Sequence, residues 1–185
     1  MTKSPLDLAA ILPEIREIHS EDLRSRVEAV WQELWSQAEW DRIEDVPTSK
    51  DIPYSNLKHT RAIVSMALAV ADAFTQHHGV KLNRDLLVAS ALLQDVSKLI
   101  ELRPKRDGTT EKSARGRLYP HPFLGAHAAA NAGLPEDVVH IILAHSPSSP
   151  SFPLSLEGKI LYYVDQLDVL AIHEDRWKKT IAITK

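Results

Sequence analysis

Cysteine is absent from this chain of 185 residues. Its absence excludes a disulfide framework, a thiol nucleophile, a cysteine-type zinc site and an iron–sulfur cluster. Histidine, by contrast, occurs nine times, which is a high number for this length. A metal bound by this chain would therefore have to be held by imidazole and carboxylate groups.

An excess of positive charge is also missing, because 22 Lys and Arg residues oppose 25 Asp and Glu residues for a formal net charge of −3. This balance argues against a general binder of nucleic acid or of a membrane surface. With 44% hydrophobic and 25% charged residues, the composition fits neither a disordered nor a fibrous protein. The length predicts one domain with a substantial core.

Long hydrophobic runs are missing as well. No stretch approaches the roughly 18 apolar residues of a membrane span, and Asp7, Pro13 and Glu14 interrupt the apolar start of the chain. These interruptions are not typical of a signal peptide. We therefore expect a cytoplasmic protein with no membrane partner.

The alternating pattern of a β-strand does not occur over any useful length, whereas helical periodicity is frequent. Ser20 and Asn83 are typical N-caps, and Gly79 is a typical helix stop. The spacing predicts helices over residues 56–78 and over residues 84–102. Further helices are predicted in the first 40 residues, from His121 to Gly133, from Pro135 to His145, and after Ser155.

This pattern predicts an all-α fold, a single-domain helical bundle. The expected organisation is N-terminal helices over 1–45 that pack on a core domain over 55–172, followed by a C-terminal tail over 173–185. Between the first two parts, residues 41–55 are predicted to be a polar connector broken by prolines.

The segment from Lys98 to Arg117 holds seven basic and three acidic residues, a net charge of +4. Within it, residues 103–118 have no periodicity and are predicted to form a loop. Two interpretations stay open: the loop is an ordinary solvated surface, or it is a basic flap that closes over an anionic ligand.

Two carboxylates and three imidazoles lie in or beside apolar helices. Asp95 follows the apolar run ASALLQ, and Asp165 follows KILYYV. A carboxylate buried on an apolar helix is costly unless it is paired or binds a cation. His59 begins an apolar helix, while His121 and His145 lie at helix ends, so together the five indicate a metal cluster.

In their order along the chain, these residues resemble the HD superfamily of metal-dependent phosphohydrolases over about residues 55–172. The family pattern is a His on one helix, a His-Asp pair on a later helix, and a distal Asp on the last core helix. His59 matches the first position, Gln94-Asp95 stands at the His-Asp pair, and Asp165 matches the distal position.

Two further features resemble the two-metal members of the superfamily. The sequence HPFLG at His121 is similar to their His-Pro-x-x-Gly motif, and His145 is similar to their next His. The second, adjacent His and the GYP sequence are missing after His145. The resemblance therefore does not extend to a cyclic-di-GMP phosphodiesterase of the usual HD-GYP type.

Position 94 departs from the family pattern, because the family His, a metal ligand, is Gln94 here. An amide oxygen is a weaker donor than imidazole for a transition metal. Ser97 also replaces the usual Gly.

Three arrangements of the site stay open. In the first, His59, Asp95 and Asp165 hold one metal ion, with Gln94 as a weak or absent fourth ligand. In the second, Asp95, His121 and His145 hold it. In the third, no catalytic metal binds. We expect one divalent ion per chain, and the sequence does not distinguish among Mn, Fe, Co, Zn, Ni and Mg.

The resemblance implies hydrolysis by water that a bound metal activates. The expected catalytic residues are Asp95, Gln94 and Lys98. The residues expected to bind an anionic substrate are Lys98, Arg61, Arg103, Arg115 and Arg117.

The leading hypothesis is a metal-dependent hydrolase of a small anionic substrate, most simply a phosphate ester or nucleotide, with no nucleic-acid partner. One alternative is a hydrolase of amides, esters or rings on the same scaffold. Another is a ligand-binding module whose metal site has decayed. A homodimer through the Trp-bearing N-terminal helix is a further hypothesis.

Overall fold

The computed structural model describes residues 3–172, and these residues are mainly helical, which confirms the expected all-α fold. The predicted tail over 173–185 lies outside the described residues. Short 3-10 helices span Pro13–Glu17 and Ile43–Asp45. The α-helices are α1 (Leu8–Ile11), α2 (Glu21–Gln37), α3 (Asn56–His78), α4 (Arg84–Leu93), α5 (Lys98–Glu101), α6 (Ala114–Leu118), α7 (His121–Asn131), α8 (Glu136–Ala144) and α9 (Leu156–Ile172).

The helix ends follow from the capping residues that the sequence supplies. The Ser20 side chain accepts a hydrogen bond from the backbone of Leu23 and begins α2. The Asn83 side chain accepts one from Leu86 and begins α4. Gly79 ends α3 with a φ of 65°, the left-handed conformation that favours glycine.

Helix α4 is the centre of the molecule, with α2, α3, α8 and α9 packed around it. Every residue from Leu87 to Leu93 is buried. The N-terminal helix α2 contributes Trp31, which is fully buried and donates its indole N–H to the carbonyl of Leu92. The aromatic stripe of the N-terminal helix thus packs on the core.

The predicted helix over 84–102 is divided, because α4 stops at Leu93 and α5 begins at Lys98. Between them the backbone forms tighter turns with hydrogen bonds between residues three apart. The N–H of Val96 donates to the carbonyl of Leu93, and the N–H of Lys98 donates to the carbonyl of Asp95. Such tightened turns inside helices are frequent at functional sites. Here the turn carries Asp95.

Two antiparallel hairpins were not expected from the sequence. Strands β1 (Pro47–Ser49) and β2 (Ile52–Ser55) lie in the segment predicted as a connector. Strands β3 (Leu102–Pro104) and β4 (Thr110–Lys112) lie, together with α6, in the segment predicted as a loop. The prediction of irregular structure over 103–118 is therefore wrong, because strands of three residues are too short to show a period.

Gly116 allows α6 to pack directly against the end of α5. A Cβ atom at this position would lie 2.2 Å from the carbonyl oxygen of Glu101, and backbone cannot easily move away. We expect Gly116→Ala to lower the free energy of unfolding by about 2–3 kcal/mol through this overlap. Chemical denaturation measures the change. Gly79→Ala, which meets open space and suffers only from its positive φ, should cost about 1 kcal/mol.

No helix among residues 3–172 combines the length and the apolar character that crossing a membrane requires.

Candidate metal centre

The five candidate ligands come from five different elements and meet at one cavity of about 770 Å³. His59 lies on the first turn of α3, and Asp95 in the turn after α4. His121 is the first residue of α7, His145 caps the end of α8, and Asp165 lies on α9. Residues far apart in sequence thus converge around the end of the central helix.

Asp95, His121 and His145 form the tightest part of the cluster. Asp95 Oδ1 lies 3.2 Å from Nε2 of His121 and 3.7 Å from Nε2 of His145, and the two Nε2 atoms are 3.3 Å apart. Within residues 3–172, this is the one group of three ligand-type side chains whose donor atoms all lie within 4.8 Å of one another.

The distances of 3.2 Å and 3.3 Å fit a shared cation, and the distance of 3.7 Å is slightly longer. Donors at about 2.1 Å from a metal stand about 3.0 Å apart in octahedral and about 3.4 Å apart in tetrahedral geometry. Asp95 Oδ1 is buried and has no hydrogen-bond partner among the described residues. The Nδ1 of His145 donates to the carbonyl of Ile142 at 2.6 Å, which leaves Nε2 as the lone-pair atom that faces Asp95. The donor set therefore fits a divalent metal.

His59 lies on the other side of Asp95. Its Nε2 is 3.4 Å from Asp95 Oδ2 and 3.2 Å from Asp165 Oδ1. Its Nδ1 donates to Oδ2 of Asp168 at 2.6 Å. Asp168, one helical turn after Asp165, thus fixes the orientation of the His59 ring.

The two sides of Asp95 differ in their electrostatics. Burial lowers the pKa of His59, but the carboxylates of Asp165, Asp168 and Asp95 outweigh burial and raise this pKa well above its usual value. Burial and the charge of Lys98 hold the pKa of His121 well below its usual value. These opposite shifts favour the charged form of the His59 ring and the neutral form of the His121 ring.

The carboxyl of Asp95 is held in its ionised form. Burial raises its pKa, but the charge of Lys98, together with the nearby rings of His121, His145 and His59, outweighs burial. The pKa of Asp95 therefore lies well below its usual value. An ionised carboxylate beside a neutral imidazole is the protonation state that a metal requires of its ligands.

Gln94 is fully buried beside His59, with its Nε2 3.4 Å from the Nε2 of that residue. Its Oε1 is buried and has no hydrogen-bond partner within residues 3–172. The position where the superfamily carries a ligand imidazole is thus filled by an amide with a free acceptor.

Lys98 lines the cavity, and its ammonium group lies 4.0 Å from Asp95 Oδ1. Glu101, one turn later on α5, accepts a hydrogen bond from it at 3.0 Å. Sequence reasoning missed Glu101, although its spacing of three residues from Lys98 on an apolar helix is a recognisable signal of a pair.

The four arginines expected at the substrate do not line this cavity. Each contacts another part of the surface: Arg61 pairs with Glu14, Arg103 with Glu111 and Glu39, Arg115 donates to Gln37, and Arg117 donates to the carbonyl of Lys112. Their role in substrate binding stays a prediction, and the structure gives it no support.

Comparison with known proteins finds relatives that are all named as enzymes acting on phosphodiester bonds. Over 113 residues, the chain is 33% identical to a dihydroneopterin 2',3'-cyclic phosphate phosphodiesterase of Methanocaldococcus jannaschii, covering 60% of this chain and 45% of the relative. Over 130 residues, it is 31% and 30% identical to the 3'-5' exoribonuclease YhaM of Bacillus velezensis and of Bacillus subtilis, covering 64% of this chain and 39% of each relative.

The chain thus spans less than half the length of these relatives. No protein-family profile and no solved structure matches it. The relatives are named as enzymes that cleave phosphodiesters, which confirms the resemblance found in the order of the histidines and aspartates.

Proposed function

We propose that this chain, a member of the HD superfamily of metal-dependent phosphohydrolases, hydrolyses phosphate esters of small nucleotides. The observation that carries the proposal is the unpartnered, ionised oxygen of Asp95 that faces the Nε2 atoms of His121 and His145. A buried carboxylate oxygen that accepts no hydrogen bond is costly even with the Lys98 ammonium group 4.0 Å away, and a divalent cation at this place would offset the cost.

We assign one divalent ion to Asp95, His121 and His145, the second of the arrangements that the sequence leaves open. The short distances among the three donor atoms and the absence of a hydrogen-bond partner for Asp95 Oδ1 among the described residues both favour this side of Asp95. The donor set suits Mn, Fe, Co, Ni and Zn, and Mg stays among the candidates because Asp95 supplies an oxygen. When bound, the ion would lower the pKa of its water and polarise the phosphoryl group.

Other residues of the chain would bind the substrate, hold water and position the carboxylates. Lys98, buried at the cavity wall, would contact the phosphoryl oxygens of a substrate. The Oε1 atom of Gln94, buried and without a hydrogen-bond partner among the described residues, would accept a hydrogen bond from a water molecule. His59, oriented by Asp168, would keep Asp165 and Asp95 in place as their counter-charge.

The class of substrate follows from the relatives and from the cavity. Both kinds of relative are named for cleaving phosphodiesters, and a cavity of about 770 Å³ has room for a mononucleotide. We propose a small phosphodiester rather than a nucleic acid. We also propose that residues 55–172 form the catalytic unit, that the protein acts in the cytoplasm, and that it binds one ion per chain. A homodimer remains a prediction.

A substrate panel tests the proposed function. Purified protein loaded with Mn²⁺, Co²⁺ or Fe²⁺ should hydrolyse bis-p-nitrophenyl phosphate and a nucleoside 2',3'-cyclic phosphate. An amide, a lactone and a short oligoribonucleotide serve as the contrasting arms. Turnover confined to the amide or lactone would contradict phosphoester chemistry, and preference for the oligoribonucleotide would contradict a small substrate.

A further inference from the structure

Two buried charged residues and one half-exposed lysine lie beside the metal centre. Lys98 and Glu101 of α5 are 7% and 4% exposed. The Glu101 carboxylate accepts contacts on both oxygens, from Lys98 Nζ at 3.0 Å and from Lys112 Nζ of β4 at 3.3 Å. We call these three residues the Lys98–Glu101–Lys112 cluster.

Two carboxylates lie near the ammonium group of Lys98, those of Glu101 and Asp95. Its ammonium group lies 3.0 Å from Glu101 Oε2 and 4.0 Å from Asp95 Oδ1. The Asp95 oxygen is the one that faces His121 and His145. A shift of about 1 Å would bring Lys98 into a close ion pair with Asp95, and an ammonium in that place competes with a divalent cation.

We propose that Glu101 is a positioning residue that holds the Lys98 ammonium off Asp95 and so keeps Asp95 Oδ1 available to the metal. The inference rests on the proposed function, because it takes Asp95 as a metal ligand. Glu101 touches neither the cavity nor a ligand atom; it acts through Lys98.

The β3–β4 hairpin keeps Glu101 in this position. Ser113 donates its backbone N–H to the Glu101 carbonyl at 2.8 Å, and its hydroxyl donates to the carbonyl of Ile100 at 2.6 Å. Lys112 contacts the second carboxylate oxygen of Glu101 at 3.3 Å. Through Glu101 and Lys98, the β3–β4 hairpin of the basic segment is therefore connected to the metal centre.

Calorimetric titration of metal-free protein with Mn²⁺ tests the proposal without any substrate. Glu101→Gln should weaken Mn²⁺ binding about tenfold, since Lys98 loses its charged partner and turns to Asp95. Lys98→Met should bind Mn²⁺ at least as tightly as the wild type. In the Lys98→Met background, Glu101→Gln should have no further effect.

The double variant separates positioning from simple electrostatics. Loss of a nearby negative charge would weaken binding of a cation equally in both backgrounds. Glu101→Asp keeps the charge but shortens the side chain, so it should weaken Mn²⁺ binding about threefold by lengthening the contact with Lys98. This variant also serves if Glu101→Gln does not fold.

Glu111→Gln is the matched control, because Glu111 lies in the same hairpin but pairs with Arg103 at the surface. It should bind Mn²⁺ as the wild type does. Wild-type affinity in both Glu101 variants, or equal losses with and without Lys98, would overturn the positioning role alone. A wild-type protein that binds no Mn²⁺, Co²⁺ or Fe²⁺ would overturn the proposed function together with this inference.

Discussion

Asp95→Asn is expected to lower kcat/KM for a phosphodiester by at least about a thousandfold, because the substitution removes the ionised oxygen through which the metal would act. The amide has nearly the same shape as the carboxylate but loses its charge. Metal affinity should fall about a hundredfold or more in the same variant. Steady-state kinetics and calorimetric titration with Mn²⁺ measure the two effects.

Asp137→Asn is the matched control for this substitution. Asp137 is exposed in the first turn of α8 and does not line the cavity, so its loss should leave both quantities unchanged. If the Asp95 variant kept wild-type turnover while it remained folded, Asp95 would not be a ligand of the reactive metal.

Gln94→His is expected to raise the Mn²⁺ content from about one to about two ions per chain. The new imidazole would stand beside His59, Asp95 Oδ2 and Asp165 Oδ1, on the side of Asp95 where the superfamily places a ligand His. Imidazole is a stronger donor than the amide that it replaces. Metal analysis after removal of free ions measures the stoichiometry.

Gln37→His is the control, since Gln37 is exposed on α2, accepts a hydrogen bond from Arg115 and does not line the cavity of the metal centre. An imidazole added there should leave the content at about one ion per chain. If Gln94→His still held about one Mn²⁺ ion per chain, a missing fourth ligand would not be the reason that the site around His59 binds no metal. Two ions in the wild type would contradict the assignment of one ion to Asp95, His121 and His145.

The sequence predicted the ligand candidates because their signal is local. Asp95 and Asp165 are carboxylates in apolar helices, and a buried charge of this kind requires a partner. The helix ends at His121 and His145 were also predictable from Pro122 and from the apolar run of α8. Order along the chain then sufficed to reveal the resemblance, although it left the choice between the two sides of Asp95 open.

The surroundings of the site were harder to predict because they depend on pairing at a distance. The basic residues of 98–117 suggested a flap, but their partners include Glu39 and Gln37 of the N-terminal region and Glu101 of α5. Charge along a sequence does not show which acid each base will meet. The hairpins were missed for a related reason, since cross-strand contacts define strands that are too short to show a period.

The most direct measurement follows phosphodiester turnover while Mn²⁺ is added to metal-free protein. In the wild type, activity should be absent at the start, rise in proportion to bound Mn²⁺, and level off at about one ion per chain. His121→Ala and His145→Ala should remain inactive at the same Mn²⁺ concentrations. Full activity in the metal-free protein, or wild-type turnover in both histidine variants, would contradict a metal-dependent hydrolase built on Asp95, His121 and His145.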